Sequence, residues 1–257
     1  MKTVIITGST SGIGLGIAEN FAEAGYNVVL NGLGKDEEIE ATRARLASLG
    51  AGDVIFHGAN MLKPEEIADL VASTEKHFGS VEIIVPNAGI QHVEKVEDFP
   101  VAKWEAIIAI NMSSAFHLIR AAMPGMKKNG FGRIIAIASA HGLVASPFKS
   151  AYVTAKHGVV GLIKTVALEG AEFGITANAI CPGYVETPLV SGQIADTAKA
   201  RGMSEEEVIN EVILKAQPTK AFVQVSQIAA LANYLASDQA AQITGAALPM
   251  DGGWTAQ

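Results

Sequence analysis

Cysteine is almost missing: Cys181 is the one thiol in a chain of 257 residues. A single thiol cannot build a disulfide framework, which points to a reducing compartment. The small apolar stretch around it, 176–182, favours a buried inert thiol over a nucleophile. Neither paired cysteines nor clustered histidines occur, so no metal is expected. Charge is also sparse, at 18% of residues with a net charge of −7. No stretch gathers Lys and Arg on one face, so nothing favours nucleic acid. Long apolar runs are lacking too. The first, Val4 to Ile6, ends at Thr7 and Gly8 and is too short for the core of a signal peptide. No run of about 18 apolar residues occurs, so no membrane span is expected. These absences lead to the expectation of a cytoplasmic protein without nucleic-acid or membrane partners. What is present is apolar: 49% of residues are hydrophobic, ample for a sizeable core at this length.

Short β-rich runs alternate with longer helical patterns. Strands are expected over 3–7, 27–30, 53–57, 82–85, 133–138, 175–180 and 242–248. Helices are expected over 13–24, 36–49, 64–78, 100–123, 150–173, 205–215 and 227–236. Most of the strands are continuous Val/Ile runs, which marks a parallel sheet covered on both faces. Strand–helix alternation then implies right-handed crossovers. The expected fold is one α/β domain over 1–257, a doubly wound seven-stranded parallel sheet in order 3-2-1-4-5-6-7. The segment 184–217 is longer than an ordinary connection, and a partly helical lid over a site is expected there.

Thr7-Gly8-Ser9-Thr10-Ser11-Gly12-Ile13-Gly14 joins the first strand to the first helix. Glycines allow a tight turn and close approach of the backbone to a pyrophosphate, and the helix N-terminus offers free N–H groups. The spacing Gly-x-x-x-Gly-x-Gly is not the usual one, but its position at the first strand–helix junction makes it a nucleotide signal. After the second strand an acid would bind a ribose 2′-hydroxyl, and an Arg would favour a 2′-phosphate. The run 29–35 holds neither. Asn31 is neutral and Lys35 is the only cation, so these residues leave NAD and NADP open.

Tyr152 and Lys156 lie four apart on one helix, hence on one face. A neighbouring ammonium favours a phenolate, which predicts a lowered Tyr152 pKa. A phenol so tuned serves as base toward an alcohol or acid toward a ketone. Ser139 ends the fifth strand, where open α/β sheets place their ligands. A Tyr-x-x-x-Lys pair alone also fits an exposed helix face. Joined to the glycine loop and Ser139, it points to redox chemistry at a carbon–oxygen bond.

On these residues, together with Asn87-Ala88-Gly89, Asn111 and Pro182-Gly183, the chain resembles the short-chain dehydrogenase/reductase family over nearly its whole length. The resemblance implies a catalytic tetrad of Asn111, Ser139, Tyr152 and Lys156. Lys156 would also bind the nicotinamide ribose, Asn111 would hold a water in a proton relay, and Thr187 would touch the carboxamide. The dinucleotide would lie along Gly8, Thr10, Ser11, Gly12, Ile13, Gly14, Asn60, Asn87, Ala88, Gly89, Pro182 and Gly183. Segments 8–17, 87–92, 138–146, 149–152 and 251–255 are similar to the family's branch of bacterial D-3-hydroxybutyrate dehydrogenases. That branch is NAD-dependent and also lacks an acid after the second strand, which tips the cofactor to NAD.

The branch implies a substrate carboxylate gripped by polar and basic residues at Gln91, His141, Lys149 and Gln193, beside Ser139 and Tyr152. An acidic protein needs such local positive groups to accept a small anionic hydroxy or keto acid. Three positions depart from the pattern: Pro86 replaces an Asn, Asn60 an Asp, and Tyr184 a Trp common in the branch. The resemblance also implies a homotetramer. Two other readings are a 3-oxoacyl thioester reductase using NADPH and a catalytically silent dinucleotide sensor.

Overall fold

A computed structural model describes residues 1–256, apart from the side chains of Pro188, Leu189, Gln193, Asp196, Ala200 and Arg201. Seven strands form one parallel sheet in the order β3-β2-β1-β4-β5-β6-β7. They are β1 Thr3–Ile6, β2 Asn27–Leu30, β3 Val54–Phe56, β4 Ile83–Val85, β5 Gly132–Ile137, β6 Ile175–Pro182 and β7 Ala247–Met250. This is the sheet and strand order expected from the Val/Ile runs.

Side chains alternate between the faces of each strand and feed two separate cores. Val4, Ile6, Val28 and Leu30 pack against α1 (Gly12–Glu23) and α10 (Val225–Ala236). Ile5, Val29, Ile84 and Ile134 pack on the other face. There they meet α3 (Pro64–Phe78), α5 (Ser114–Asn129) and α6 (Ser150–Gly170). Burial on both sides explains why the strands read as unbroken apolar runs. α2 (Asp36–Ala47) is polar and covers the β3 edge with little more than Ile39 and Leu46 buried.

The helix expected over 100–123 is two helices. α4 (Val101–Ile108) and α5 are joined by a π turn, Ala109–Ser113, and α5 continues through Pro124 to Asn129. Met126, fully buried, holds the last turns to the core, and Gly130 at φ 66° ends them. Val101–Asn129 as a whole is long and apolar enough to cross a bilayer by length and composition. It contains no uninterrupted run of 18 apolar residues, because Lys103, Glu105 and Arg120 punctuate the segment. Nearly half of its most apolar stretch is buried in the protein.

The last strand differs from the expected 242–248. Asn178, 1% exposed on β6, donates from Nδ2 to Ile243 O (2.6 Å) and accepts from Ala246 N (3.1 Å). With Gly245 at φ 73°, this clamp makes 243–246 a turn, and pairing starts only at Ala247. Between β6 and α10 the segment 184–217 forms α7 (Pro188–Arg201), α8 (Glu205–Val208), a π turn at Ile209–Ile213 and α9 (Leu214–Ala216). It has a small core of its own from Val190, Ile194, Ala198, Val208 and Ile213. Its two ends are stapled by the Val185–Val223 bridge and by Gln217, fully buried, which accepts from Tyr184 N and donates to Ala221 O.

Asn178→Ala leaves a part-buried N–H and a part-buried C=O without their side-chain partner. We expect a loss of about 2–3 kcal/mol of stability, read as a lower denaturant midpoint at unchanged m.

Candidate active site

The glycine loop is built by close approach. Gly8 has φ 64°, and a Cβ there would lie 2.9 Å from the Ala88 Cα. A Cβ on Gly14 would lie 2.3 Å from the Gly8 carbonyl oxygen. The first turn of α1 is thereby pressed against the end of β1. Asn87 ties the two loops, donating from Nδ2 to Thr7 O (2.9 Å) and Gly8 O (3.0 Å). The Thr7 hydroxyl accepts from Asn87 N and Ala88 N. No side chain caps the N-terminus of α1, and no acid stands in its first turn. Its N–H groups and positive dipole end therefore suit an anionic pyrophosphate. Gly8, Thr10, Ser11, Gly12, Ile13, Asn60, Asn87, Ala88, Gly89, Tyr152, Lys156 and Thr187 line one cleft of about 370 Å³. The cleft and its uncapped helix fit a dinucleotide.

Gly14 and Asn111 are not on the cleft wall. Gly14 acts through packing. Asn111, 3% exposed in the π turn, accepts from Ile90 N and donates to Ile90 O, each at 2.9 Å. Its carboxamide clamps the loop after β4, and its place in a water relay stands as a proposal. Asn31 is also committed. Its Nδ2 donates to His57 O and Ala59 O, and its Oδ1 accepts from Gly8 N. It holds the neighbouring strand ends rather than offering itself to a ribose. Asn60 spends its side-chain oxygen on Leu62 N (2.9 Å). Pro86 has no N–H to donate, but its carbonyl accepts from Ile137 N (2.9 Å) and keeps one contact to β5.

A second cavity of about 70 Å³ adjoins the cleft, and Ile13, Ala138, Tyr152 and Thr187 line both. Its wall includes Gln91, Ser139, His141, Lys149, Pro182 and Gly183. Pro182 and Gly183, expected along the dinucleotide, lie on this smaller cavity instead. Three of the four residues expected around a carboxylate, Gln91, His141 and Lys149, thus share one wall with Ser139 and Tyr152. The fourth, Gln193, has its side chain outside the described residues. Trp254 and Tyr184 complete the cavity, their rings stacked at 5.4 Å. Trp254 was not among the expected site residues. Its local signal was Asp251, whose carboxylate accepts from Gly253 N, Thr255 N and the Thr255 hydroxyl and folds the C-terminal turn.

The electrostatics differ from the expectation at two residues. Burial pushes the Tyr152 phenol above its usual value, and a hydrogen bond with Ser139 pulls the other way. Lys156 does not lower it as expected. Its ammonium sits 5.6 Å from the Tyr152 ring centroid and donates to the Ile137 carbonyl at 2.8 Å. Burial brings Lys156 itself down to about 8, so desolvation dominates both partners. The second residue is His141, expected among the basic groups. Burial, then the Lys149 ammonium, bring it down to about 3. It is a neutral imidazole, near Ser139 Oγ through Nδ1 (3.5 Å) and Ser146 Oγ through Nε2 (2.9 Å). Positive charge at the cavity wall therefore comes from Lys149.

A nucleotide cleft that opens onto a phenol, a serine hydroxyl and a buried ammonium defines a dinucleotide-dependent oxidoreductase. The chain belongs to the short-chain dehydrogenase/reductase family: the family model described as enoyl-(acyl carrier protein) reductase matches residues 8–255. It is 64% identical over 256 residues to the D-beta-hydroxybutyrate dehydrogenase of Rhizobium meliloti, covering all of this chain and 99% of that one. It is 52% identical to the D-beta-hydroxybutyrate dehydrogenase of Cupriavidus necator, covering all of this chain and 98% of that one. Among solved structures, levodione reductase superposes with a TM-score of 0.91 at 29% identity, over 99% of this chain and 98% of that one.

The depressed His141 pKa carries a sign. Between about 3 and 6.5 the unfolded chain binds a proton that the folded one refuses. The group's contribution to stability is therefore present above 6.5 and is lost as pH falls toward 3. We expect the His141 ring nitrogens to show no titration between about pH 5 and 8 by ¹⁵N NMR. A midpoint near the ordinary histidine value would overturn the neutral assignment.

Proposed function

We propose that this enzyme oxidises D-3-hydroxybutyrate to acetoacetate, reversibly, with NAD. The observation that carries the reading is the Lys149 ammonium on the wall of a cavity of about 70 Å³ that opens onto Tyr152. A small carboxylate bound there gains a charge-assisted hydrogen bond, and its hydroxyl-bearing carbon falls between Lys149 and the phenol. The cavity has space for a few heavy atoms, which disfavours a thioester with its pantetheine arm. The names of the two full-length relatives support the same substrate.

Tyr152 takes the substrate hydroxyl proton, and Ser139 donates to the oxygen as negative charge develops on it. Lys156 stays largely protonated at neutral pH, and its field stabilises the Tyr152 phenolate that takes the proton; in the reverse direction the neutral phenol gives that proton to the ketone oxygen. His141, neutral, acts as a hydrogen-bonding wall, with Gln91 and Gln193 as further polar contacts to the carboxylate. NAD, held by the uncapped helix and the cleft, supplies the hydride acceptor. Closing the 184–217 segment over the pair would exclude water.

NAD rather than NADP is favoured by charge at the ribose corner. Leu33 stands there 92% exposed. Lys35 is paired with Glu38 at 3.4 Å, and Asp36, Glu37 and Glu38 fill the first turn of α2. A 2′-phosphate would meet three acids and no unpaired base. A homotetramer is part of the same proposal. It is supported by exposed Phe116 on α5 and Leu168 on α6, and by β7 at the edge of the sheet. Light scattering on the purified protein tests it.

In steady-state assays, Tyr152→Phe should lower kcat about a thousandfold with NAD affinity intact; near-normal turnover would end the assignment. Lys149→Ala should raise KM for the acid about ten- to hundredfold at little-changed NAD KM. Turnover of acetoacetate with NADH should exceed that with NADPH, and that of acetoacetyl thioesters. Preference for NADPH and a thioester would favour the 3-oxoacyl reductase, and dinucleotide binding without turnover would favour the sensor.

A further inference from the structure

Lys149 is a flexible four-carbon cation, yet the cavity needs its charge at one point. Two features direct it. Phe148, just before it, has φ 68°, a left-handed conformation rare for a bulky residue. Its carbonyl accepts from Glu94 N at 2.9 Å, which holds the turn that starts Lys149 inward. Across the cavity the Lys149 ammonium donates to the Tyr184 hydroxyl at 3.3 Å and lies 5.2 Å from that ring's centroid. Tyr184 is itself immobilised on three sides. Its ring stacks on Trp254 with an interplanar angle of 6°. Its N–H donates to Gln217 at the far end of the 184–217 segment, and its carbonyl accepts from Val223 N at 2.9 Å.

We propose that Tyr184 is a positioning residue for the substrate carboxylate: its hydroxyl holds the Lys149 ammonium in the cavity, so that the acid meets an ordered cation. The inference rests on the hydroxy-acid reading above. A lysine side chain has large rotamer freedom, and binding must otherwise remove it. Because Tyr184 opens the 184–217 segment and stacks on the C-terminal turn, the order of Lys149 is tied to both. A wall residue that merely filled space would contribute through its ring. A positioning residue contributes through the phenol oxygen.

Tyr184→Phe separates these, since it keeps the ring and the Trp254 stack and deletes the oxygen. With D-3-hydroxybutyrate and NAD, the variant should raise KM for the acid about three- to tenfold, the cost of ordering one long side chain. kcat, the KM for NAD and the melting temperature should stay unchanged. In a Lys149→Met background, compared by kcat/KM, the same substitution should have no further effect. An unchanged KM in Tyr184→Phe, or a penalty that persists undiminished without Lys149, overturns the positioning role while leaving the substrate assignment standing. If the unsubstituted enzyme does not turn over the acid, the substrate reading fails and takes this inference with it.

Discussion

Lys156 carries an ammonium into the interior, 4% exposed, with its hydrogen bond to the Ile137 carbonyl at the end of β5. Taking a charge out of water is unfavourable unless dipoles replace the lost hydration. The site is arranged around that demand. The strand end provides the carbonyl, α6 sets the lysine one turn below Tyr152, and Ser139 closes the group from the next residues of the chain. Removing the ammonium would leave a buried carbonyl without its donor and a phenol without a nearby positive field.

The same desolvation distributes proton affinities across the pocket. It holds Tyr152 protonated, lowers Lys156 toward neutrality, and strips His141 of its charge. The result is a wall with one cation, Lys149, held at the Tyr184 hydroxyl and facing neutral donors and acceptors. A small anion is attracted to a single place, and the phenol beside it is poised to give a proton to a ketone oxygen or, as phenolate, to take one from an alcohol. Specificity and proton transfer thus have a common origin in burial, although the residues come from β5, the 139–150 loop, α6 and the C-terminal turn.

Much of this was legible along the chain. Continuous Val/Ile runs and their alternation with helical periods define a parallel sheet and its order, because a strand buried on both faces has no polar side to show. Gly8 and Gly14 announce a close backbone approach, and the spacing of Tyr152 and Lys156 puts them on one helical face. The helical content of 184–217 followed from its length, and the resemblance brought Gln91, His141 and Lys149 to the same pocket in advance. The π turn under Asn111, the continuation of α5 past Pro124 and the late start of β7 were not legible. Each depends on a partner far along the chain: Ile90, the core around Met126, and Asn178.

Sequence alone therefore determined which residues share an element and which chemistry they can perform, since periodicity and residue type are local properties. Only the tertiary structure decided how charged each group is and which atoms remain for a ligand. Asn31 and Asn111, polar and well placed by spacing, turn out to be engaged with backbone from distant loops. His141, basic by type, is neutral because surrounding segments exclude water from it. Trp254 and Tyr184 reach the pocket from opposite ends of the last third of the chain. Solvation and long-range contact are properties of the packed interior, and no pattern of neighbours along the chain encodes them.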